Sequence, residues 1–364
     1  MSRVFNVAVI GCNIGRSHIA EAYSKLGDKF RVLAVCGLDV VQMNAVAEEF
    51  GVPRRVTSFE DVLAMPDIDI VDICTPPALH VPQSLAALAA GKHVICEKPV
   101  AGSLAEVDRL IAAEIASPKT VMPIFQYRWG TGYQKALKLV REGIAGRPYA
   151  ATVETHWRRG ADYYSVPWRG KFETELGGVL VAHAIHIHDL LCGLMGPIRF
   201  VSARLATRVN TIEVEDTVGA VLEMETGAVV TLSCCLGASD NRSRLRAMFQ
   251  NVSCESSLAP YSPGDEPWQF DTPEGADRSA IDCVLDTFSE TPRRFLGQMI
   301  AYHDALVNGT TLPVTLADAR ASLELVTAIY HAHDTGAAVR LPIGPGHPKY
   351  QNWKPQNLPE KARD

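Results

Sequence analysis

The stretch VICEKPVAG, residues 94–102, ends an apolar run with Glu97, Lys98 and Pro99. A lysine at the rim of a buried strand pays for desolvation unless a partner or ligand receives it. A lysine so placed has a lowered pKa and donates readily to a hydroxyl. The bland alternative is a solvated rim lysine. A second cluster, HAIHIHD, holds His183, His186, His188 and Asp189. On a helix His183 and His186 share a face, whereas His188 is turned away from His186. Two histidines and one carboxylate fall short of a closed donor set, so no metal site is expected. The third cluster, THWRRGADYYSVPWRGKFETELGG, interleaves Trp157, Tyr163, Tyr164 and Trp168 with Arg158, Arg159, Arg169 and Lys171. Aromatic faces stack on the apolar faces of sugar rings, and arginines reach hydroxyls or carboxylates. An ordinary aromatic-rich loop has the same composition. Nucleic acid would suit this mixture too, but the formal net charge of −6 argues against it.

A fourth cluster is the turn GCNIG, Gly11 to Gly15 with Asn13 and Ile14 between. It follows an apolar run and opens a helical pattern, as dinucleotide-binding turns do. Asn13 stands where that fingerprint has a glycine. Asparagine tolerates positive φ better than most residues, so the turn is expected to survive. The amides at the start of the following helix would then receive phosphates. Past the second apolar run, at VCGLDVVQ, the position directly after the run is Gly37 and Asp39 lies near. An acid there binds ribose hydroxyls, and no cationic residue follows to accept a 2′-phosphate, so NAD is expected over NADP. The competing reading is that Asp39 only caps the next helix.

These residues need elements to hold them. RVFNVAVIG, FRVLAVCG, DIDIVDICTPP, HVICEKP and TVMPIFQ read as short buried strands. Between them CNIGRSHIAEAYSKLG, VVQMNAVAEEFG, ALHVPQSLAALAAGK and SLAEVDRLIAAEIAS read as helices. The alternation down to residue 125 predicts a parallel sheet covered by helices on both faces. Ligands of such sheets bind beyond the carboxyl ends of the strands. PYAATVETHWRR, IRFVSARLATRV, DTVGAVLEMETGAVVTLSCCLG and RLRAMFQNVSCESS alternate as antiparallel strands do, and METGAVV reads as a hairpin turn. FLGQMIAYHDALVNG and TLADARASLELVTAIYHAHDTG read as helices. The proline-rich end PIGPGHPKYQNWKPQNLPEKARD reads as an extended, loosely packed surface tail or a strap on a neighbouring subunit.

The Glu97-Lys98-Pro99 motif, about 20 residues after Thr75-Pro76-Pro77, resembles the signature of the glucose–fructose oxidoreductase / inositol dehydrogenase (Gfo/Idh/MocA) family. The glycine-led GGVLVAHAIHIHDLLCGLMG, residues 177–196, supports the resemblance, which spans essentially the whole chain. It implies a Rossmann-like parallel sheet over 1–125 that binds the dinucleotide. Over 126–364 it implies a substrate and oligomerisation domain, a large and mainly antiparallel open sheet with helices on one face. It implies catalytic roles for Lys98 and for His186 as acid/base, with Asp189 orienting His186 or the substrate. The family often has an aspartate at the position held here by Ala182, which leaves the division of labour open, and His183 is either a substitute substrate contact or a packed histidine. Implied substrate contacts are Arg128, Trp157, Arg158, Tyr163, Trp168, Arg169, His183 and Asp189. Implied cofactor contacts are Gly11, Asn13, Ile14, Gly15, Asp39, Thr75, Pro76, Pro77, His80, Glu97, Lys98 and Gln126.

Composition sets limits on the rest. The 364 residues exceed what one core usually serves, so two domains are expected. No run approaches the roughly 20 apolar residues of a membrane helix, and the start has no signal-peptide pattern. Nine cysteines without a C-x-x-C pair read as reduced thiols of a cytoplasmic protein. The expected activity is NAD-dependent oxidation of a secondary hydroxyl of a sugar, glycoside or cyclitol by a homodimer or homotetramer. The rivals are an NAD-assisted glycosidase of the same family and a non-catalytic NAD-binding sensor.

Overall fold

The structure is a computed structural model that describes residues 3–355. The chain divides into two units: the residues up to 125 together with 295–320, and residues 126–294 together with those from 321 onward.

The first unit is built from β1 (Phe5–Ile10), α1 (Ile14–Glu21), β2 (Phe30–Cys36), α2 (Val40–Phe50), β3 (Arg54–Val56), α3 (Phe59–Leu63), β4 (Ile70–Ile73), α4 (His80–Ala89), β5 (His93–Cys96), α5 (Leu104–Ile115) and β6 (Val121–Pro123). Its six strands are parallel in the order β3-β2-β1-β4-β5-β6. The Val and Ile runs of β1, β4 and β5 are buried, as strands covered on both faces must be. The order reverses between β1 and β4, which opens a crevice at their carboxyl ends. β3 and α3 have no counterpart in the sequence reading. β3 is three residues long and two of them are exposed, so it has no apolar pattern to detect.

Backbone chemistry shapes the turn after β1. Gly11 has φ +98, and a Cβ there would lie 2.4 Å from the Cys74 carbonyl oxygen. A Cβ at Gly15 would lie 2.5 Å from Val9 Cγ1, so α1 packs on β1 only because residue 15 is glycine. Asn13 has φ −78. The turn therefore does not draw on asparagine's tolerance of positive φ: Gly11 carries the positive φ, and Asn13 precedes the helix.

The second unit contains α6 (Thr131–Arg141), β7 (Pro148–Arg158), α7 (Ala161–Tyr164), a π-helical turn (Leu180–Ala184), α8 (Ile185–Met195), β8 (Ile198–Ala206), β9 (Thr217–Met224), β10 (Val229–Cys235), β11 (Gly237–Phe249), β12 (Ser253–Glu255), β13 (Gln269–Asp271) and α9 (Ser279–Thr287). After α10 (Arg294–Asn308) come α11 (Leu316–Thr335) and β14 (Val339–Arg340). The sheet runs β13-β12-β11-β7-β10-β9-β8-β14. Its pairs are antiparallel except β7 with β10. On β7 the buried side is Ala151, Val153, Thr155 and Trp157, and α8 packs against β7 and β11. The expected hairpin joins β9 to β10, with Gly227 at φ 83 and its amide donating to Met224 O at 2.9 Å.

α10 belongs with the first unit, whereas the sequence places residues 295–320 in the second domain. The physical reason is polar. Gln298 donates to Pro123 O at 2.7 Å and accepts from the Phe125 amide at 3.2 Å, which satisfies the backbone at and beyond the end of β6. His303 Nε2 bonds Arg3 O at 2.8 Å. The proline-rich end is also corrected. Trp353 is 1% exposed and donates from Nε1 to Leu176 O at 2.7 Å. Lys349 pairs with Asp334 at 2.5 Å. An indole with a buried partner holds this segment down, so it is packed up to residue 355. The remainder of the expected tail lies outside the described residues.

Candidate active site

Of the five helices α1 to α5, three are capped by a side chain. Asp39 Oδ1 accepts from Gln42 N at 3.0 Å, Ser58 from Asp61 N at 3.2 Å and Ser103 from Glu106 N at 3.1 Å. Asp39 therefore does what the competing reading expected of it. α1 and α4 have no such cap, and at α1 Asn13 makes no side-chain bond to the first turn. That leaves the amides after Gly11 to an outside acceptor.

At the carboxyl end of β5 the backbone turn of Lys98 is held from two sides. His80 bridges two loops, with Nε2 2.8 Å from Thr75 O and Nδ1 2.7 Å from Pro99 O. Its burial lowers its pKa in spite of those carbonyls. On the other side the Lys98 amide donates to Glu97 Oε2 at 3.1 Å. Glu97 Oε1 lies 3.1 Å from His18 Nε2, and His18 Nδ1 lies 2.9 Å from Asp72 Oδ2. Tyr23 donates to the same Asp72 oxygen at 2.8 Å. His18 and Asp72 are 0% exposed and Glu97 is 6%. Sequence reading missed His18, Tyr23 and Asp72. The available signal was Asp72 in the apolar run DIDIVDIC, since a carboxylate there needs a buried partner. The Lys98–Pro99 peptide is cis.

In the second unit the turn before α8 is pinned by Glu215. Its carboxylate accepts from Gly178 N at 2.9 Å, from Leu180 N at 3.0 Å and from the Tyr330 hydroxyl. Burial pushes this carboxyl up to about 7, against the pull of those bonds. The π-helical turn and α8 then carry the histidines, and the three rings face different neighbours. His183 Nε2 accepts from Arg159 Nε at 3.2 Å. His186 stacks on Tyr127 at 4.5 Å between centroids. His188 is fully buried, and burial alone lowers its pKa to about 3, so it is a neutral core residue.

Asp189 is committed to Arg128, which was read as a separate substrate contact. Arg128 Nε and Nη2 donate to the two Asp189 oxygens at 2.7 and 2.5 Å. Asp189 is 3% exposed as a side chain and Arg128 19%. Breaking such a pair strands a charge, at a cost of about 3 kcal/mol or more. Asp189→Asn is expected to lower the urea midpoint accordingly with an unchanged slope. An Arg128→Met/Asp189→Leu double variant should recover much of that loss. A single variant as stable as the parent would show the pair to be dispensable. Gln126, in the same short turn as Arg128, is buried, and its Oε1 has no hydrogen-bond partner among the described residues.

The aromatic and arginine loop is organised internally. Arg159 lies over Trp157 at 4.7 Å and over Tyr163 at 5.1 Å, and Arg169 lies over Tyr163 at 4.0 Å and Trp168 at 4.3 Å. Arg169 also pairs with Glu175 at 3.0 Å. Trp157, expected to stack on a ligand, is 4% exposed and donates to Ser243 Oγ at 3.1 Å. It occupies an inward position of β7, where the alternation of the strand sends it into the core. Trp168 is half-buried and Arg158 exposed. A cavity of about 630 Å³ is lined by Arg158, Tyr164, Asn210 and Ile212 among others, and Trp168 is not part of its lining.

Comparison with known proteins assigns these parts. Residues 5–125 match the model of an oxidoreductase family with an NAD-binding Rossmann fold, and residues 133–254 match the GFO/IDH/MocA C-terminal domain. The chain is 24% identical to the D-glucoside 3-dehydrogenase of Escherichia coli over 363 residues, 93% of this chain and 98% of that protein. It is 29% identical to an oxidoreductase of Synechocystis sp. over 206 residues, which cover 56% of this chain and 54% of the relative. The crystal structure of the WlbA dehydrogenase from Bordetella pertussis, in complex with NADH and UDP-GlcNAcA, superimposes with a TM-score of 0.83 at 26% identity, covering 94% of this chain and 99% of that one. With both halves matched in order, the chain belongs to the GFO/IDH/MocA family of NAD-binding oxidoreductases.

Proposed function

We propose that this protein is an NAD-dependent dehydrogenase that oxidises a secondary hydroxyl of a sugar, glycoside or cyclitol. The observation that carries the reading is Lys98, set at the carboxyl edge of the parallel sheet with its turn clamped by Glu97 and His80. Such clamping holds a donor within the narrow tolerances that catalysis needs. The Escherichia coli relative acts on sugars by its name, D-glucoside 3-dehydrogenase.

The residues present fit the cofactor. The uncapped start of α1 offers amides to a pyrophosphate, and the orphaned Gln126 Oε1 offers an acceptor. Gly11, Asn13, Ile14 and Gly15 form the phosphate turn, with Thr75, Pro76 and Pro77 on the next loop. No cation follows Gly37 through Met43 to favour a 2′-phosphate. Bound NAD supplies the hydride acceptor. His186 takes the hydroxyl proton, and Lys98 stabilises the negative charge that develops on the substrate oxygen. Arg158 and Trp168 hold the sugar beside the cavity. The unit of residues up to 125 with 295–320 binds the dinucleotide, and the unit of 126–294 with the residues from 321 onward serves substrate and oligomerisation. The outward face of the large sheet exposes Val221 and Val229, which suits association into a dimer or tetramer. None of the nine cysteines is in a disulfide, which suits the reducing cytoplasm. No helix among the described residues is long and apolar enough to cross a membrane.

The test is absorbance at 340 nm with NAD over a panel of hexoses, glucosides, uronic acids and inositols. NADH should accumulate with at least one of them. Release of aglycone from a nitrophenyl glycoside, dependent on NAD but without net NADH, would replace this reading by the glycosidase. No turnover by either measure, with NADH still bound, would leave the sensor.

A further inference from the structure

His18 is fully buried, so no ligand in the crevice reaches it. It nevertheless sits among buried carboxylates of the first unit. Its ring lies between two carboxylates, Asp72 at 2.9 Å and Glu97 at 3.1 Å. Phe295 covers it at 4.5 Å between centroids. Burying even one carboxylate without a partner costs several kcal/mol. Two are buried here, and His18 is the group they share. Each also has work elsewhere: Asp72 takes the Tyr23 hydroxyl, and Glu97 takes the Lys98 amide.

We propose that His18 is a positioning residue for Lys98, acting through the Glu97 carboxylate that it shares with the Lys98 backbone amide. The reading of Lys98 as a catalytic group underlies this. The chain of contacts is short and continuous: α1 holds His18, His18 fixes one Glu97 oxygen, and the other oxygen fixes the amide of the lysine. Without the imidazole, Glu97 Oε1 loses its bond to His18, and the carboxylate that anchors the Lys98 turn loses one of the contacts that fix its orientation. Electrostatics support the geometry. Burial opposes a charge on His18, but the neighbouring Asp72 carboxylate favours it, and the net shift of the imidazole is upward.

A metal ion is the competing occupant. His18, Asp72 and Cys74 place donor atoms within 4.8 Å of one another. Yet His18 Nδ1 is already engaged with Asp72, and burial raises the Cys74 thiol far above the range where a thiolate forms. The group is better satisfied as an ion pair.

The test uses the full-length protein as His18→Gln, Lys98→Ala and the double variant. NADH affinity is titrated by fluorescence, and kcat is measured on the sugar that the panel identifies. His18→Gln should lower kcat roughly tenfold or more, as a small misplacement of a catalytic group does, with NADH affinity nearly unchanged. In the Lys98→Ala background it should add no further loss, because two residues that act as a unit are non-additive. A full additional loss in the double variant would overturn the proposal. Reductive ¹³C-methylation supplies a readout free of turnover. The Lys98 signal, assigned by its absence from Lys98→Ala, should shift in His18→Gln, and an unmoved signal would overturn the proposal. A moved signal together with a Lys98→Ala enzyme of normal turnover would keep the positioning role and sink the catalytic reading instead. Stoichiometric metal in the purified parent, lost in His18→Gln, would overturn the ion-pair assignment.

Discussion

Lys98→Ala is expected to lower kcat by about 10² or more while NADH still binds. A secondary alcohol has a very high pKa, so hydride departure needs proton removal in step with it. The loss of a positioned base or of a charge-stabilising donor costs of this order. An imidazole, with an unperturbed pKa of about 6.5, suits the base, and His186 is held in place by its stack on Tyr127. The position before it that often carries an acid in this family is Ala182, so Lys98 bears more of the stabilisation. His186→Ala should fall as far as Lys98→Ala. Near-normal turnover in Lys98→Ala would return Glu97-Lys98-Pro99 to a structural role. A silent His186→Ala beside a dead Lys98→Ala would make the lysine the base.

The second large effect is expected at a residue with no side chain. A Cβ on Gly178 would lie 1.8 Å from the backbone oxygen of Glu215, a distance no relaxation of a flexible side chain can relieve. The turn and the Glu215 loop are further joined by the Val179 amide on that same oxygen at 2.9 Å. Gly178→Ala must therefore move the start of the turn that carries His183 and leads to His186. A displacement near 1 Å at reacting groups costs about 10² in rate, so kcat should fall at least that far, with a lowered Tm. Gly219→Ala, where a Cβ meets nothing within 4 Å, serves as the control and should behave as the parent. An active, stable Gly178→Ala enzyme would show that the junction is soft.

Much of this was legible from residue types and spacing. The parallel sheet followed from Val and Ile runs closed by glycine or proline, and the second sheet from its alternation. The Glu97-Lys98-Pro99 motif directed attention to a lysine that the fold does place at a strand's carboxyl end. What stayed hidden depends on contacts between residues distant in sequence. Arg128 and Asp189, each read as a substrate contact, bond to each other across 61 positions. Glu215 holds Leu180 from 35 positions away, and nothing local marks it. Trp157 and Trp168 look alike in the sequence. Only the register of β7 sends the first inward, while the second lies in a loop beyond the strand's end.

The Trp353 indole has a temporal meaning as well. Its bond to Leu176 O spans 177 positions and closes on the residue just before Gly177 and Gly178, where Leu176 itself holds a φ of 70. A ribosome must therefore release the chain past residue 353 before the lead-in to the histidine helix has all its supports. The unit that carries the histidine helix gains this support only after residue 353 is made, and a chain that terminates before it, however complete its nucleotide fold, should lack the brace on Leu176.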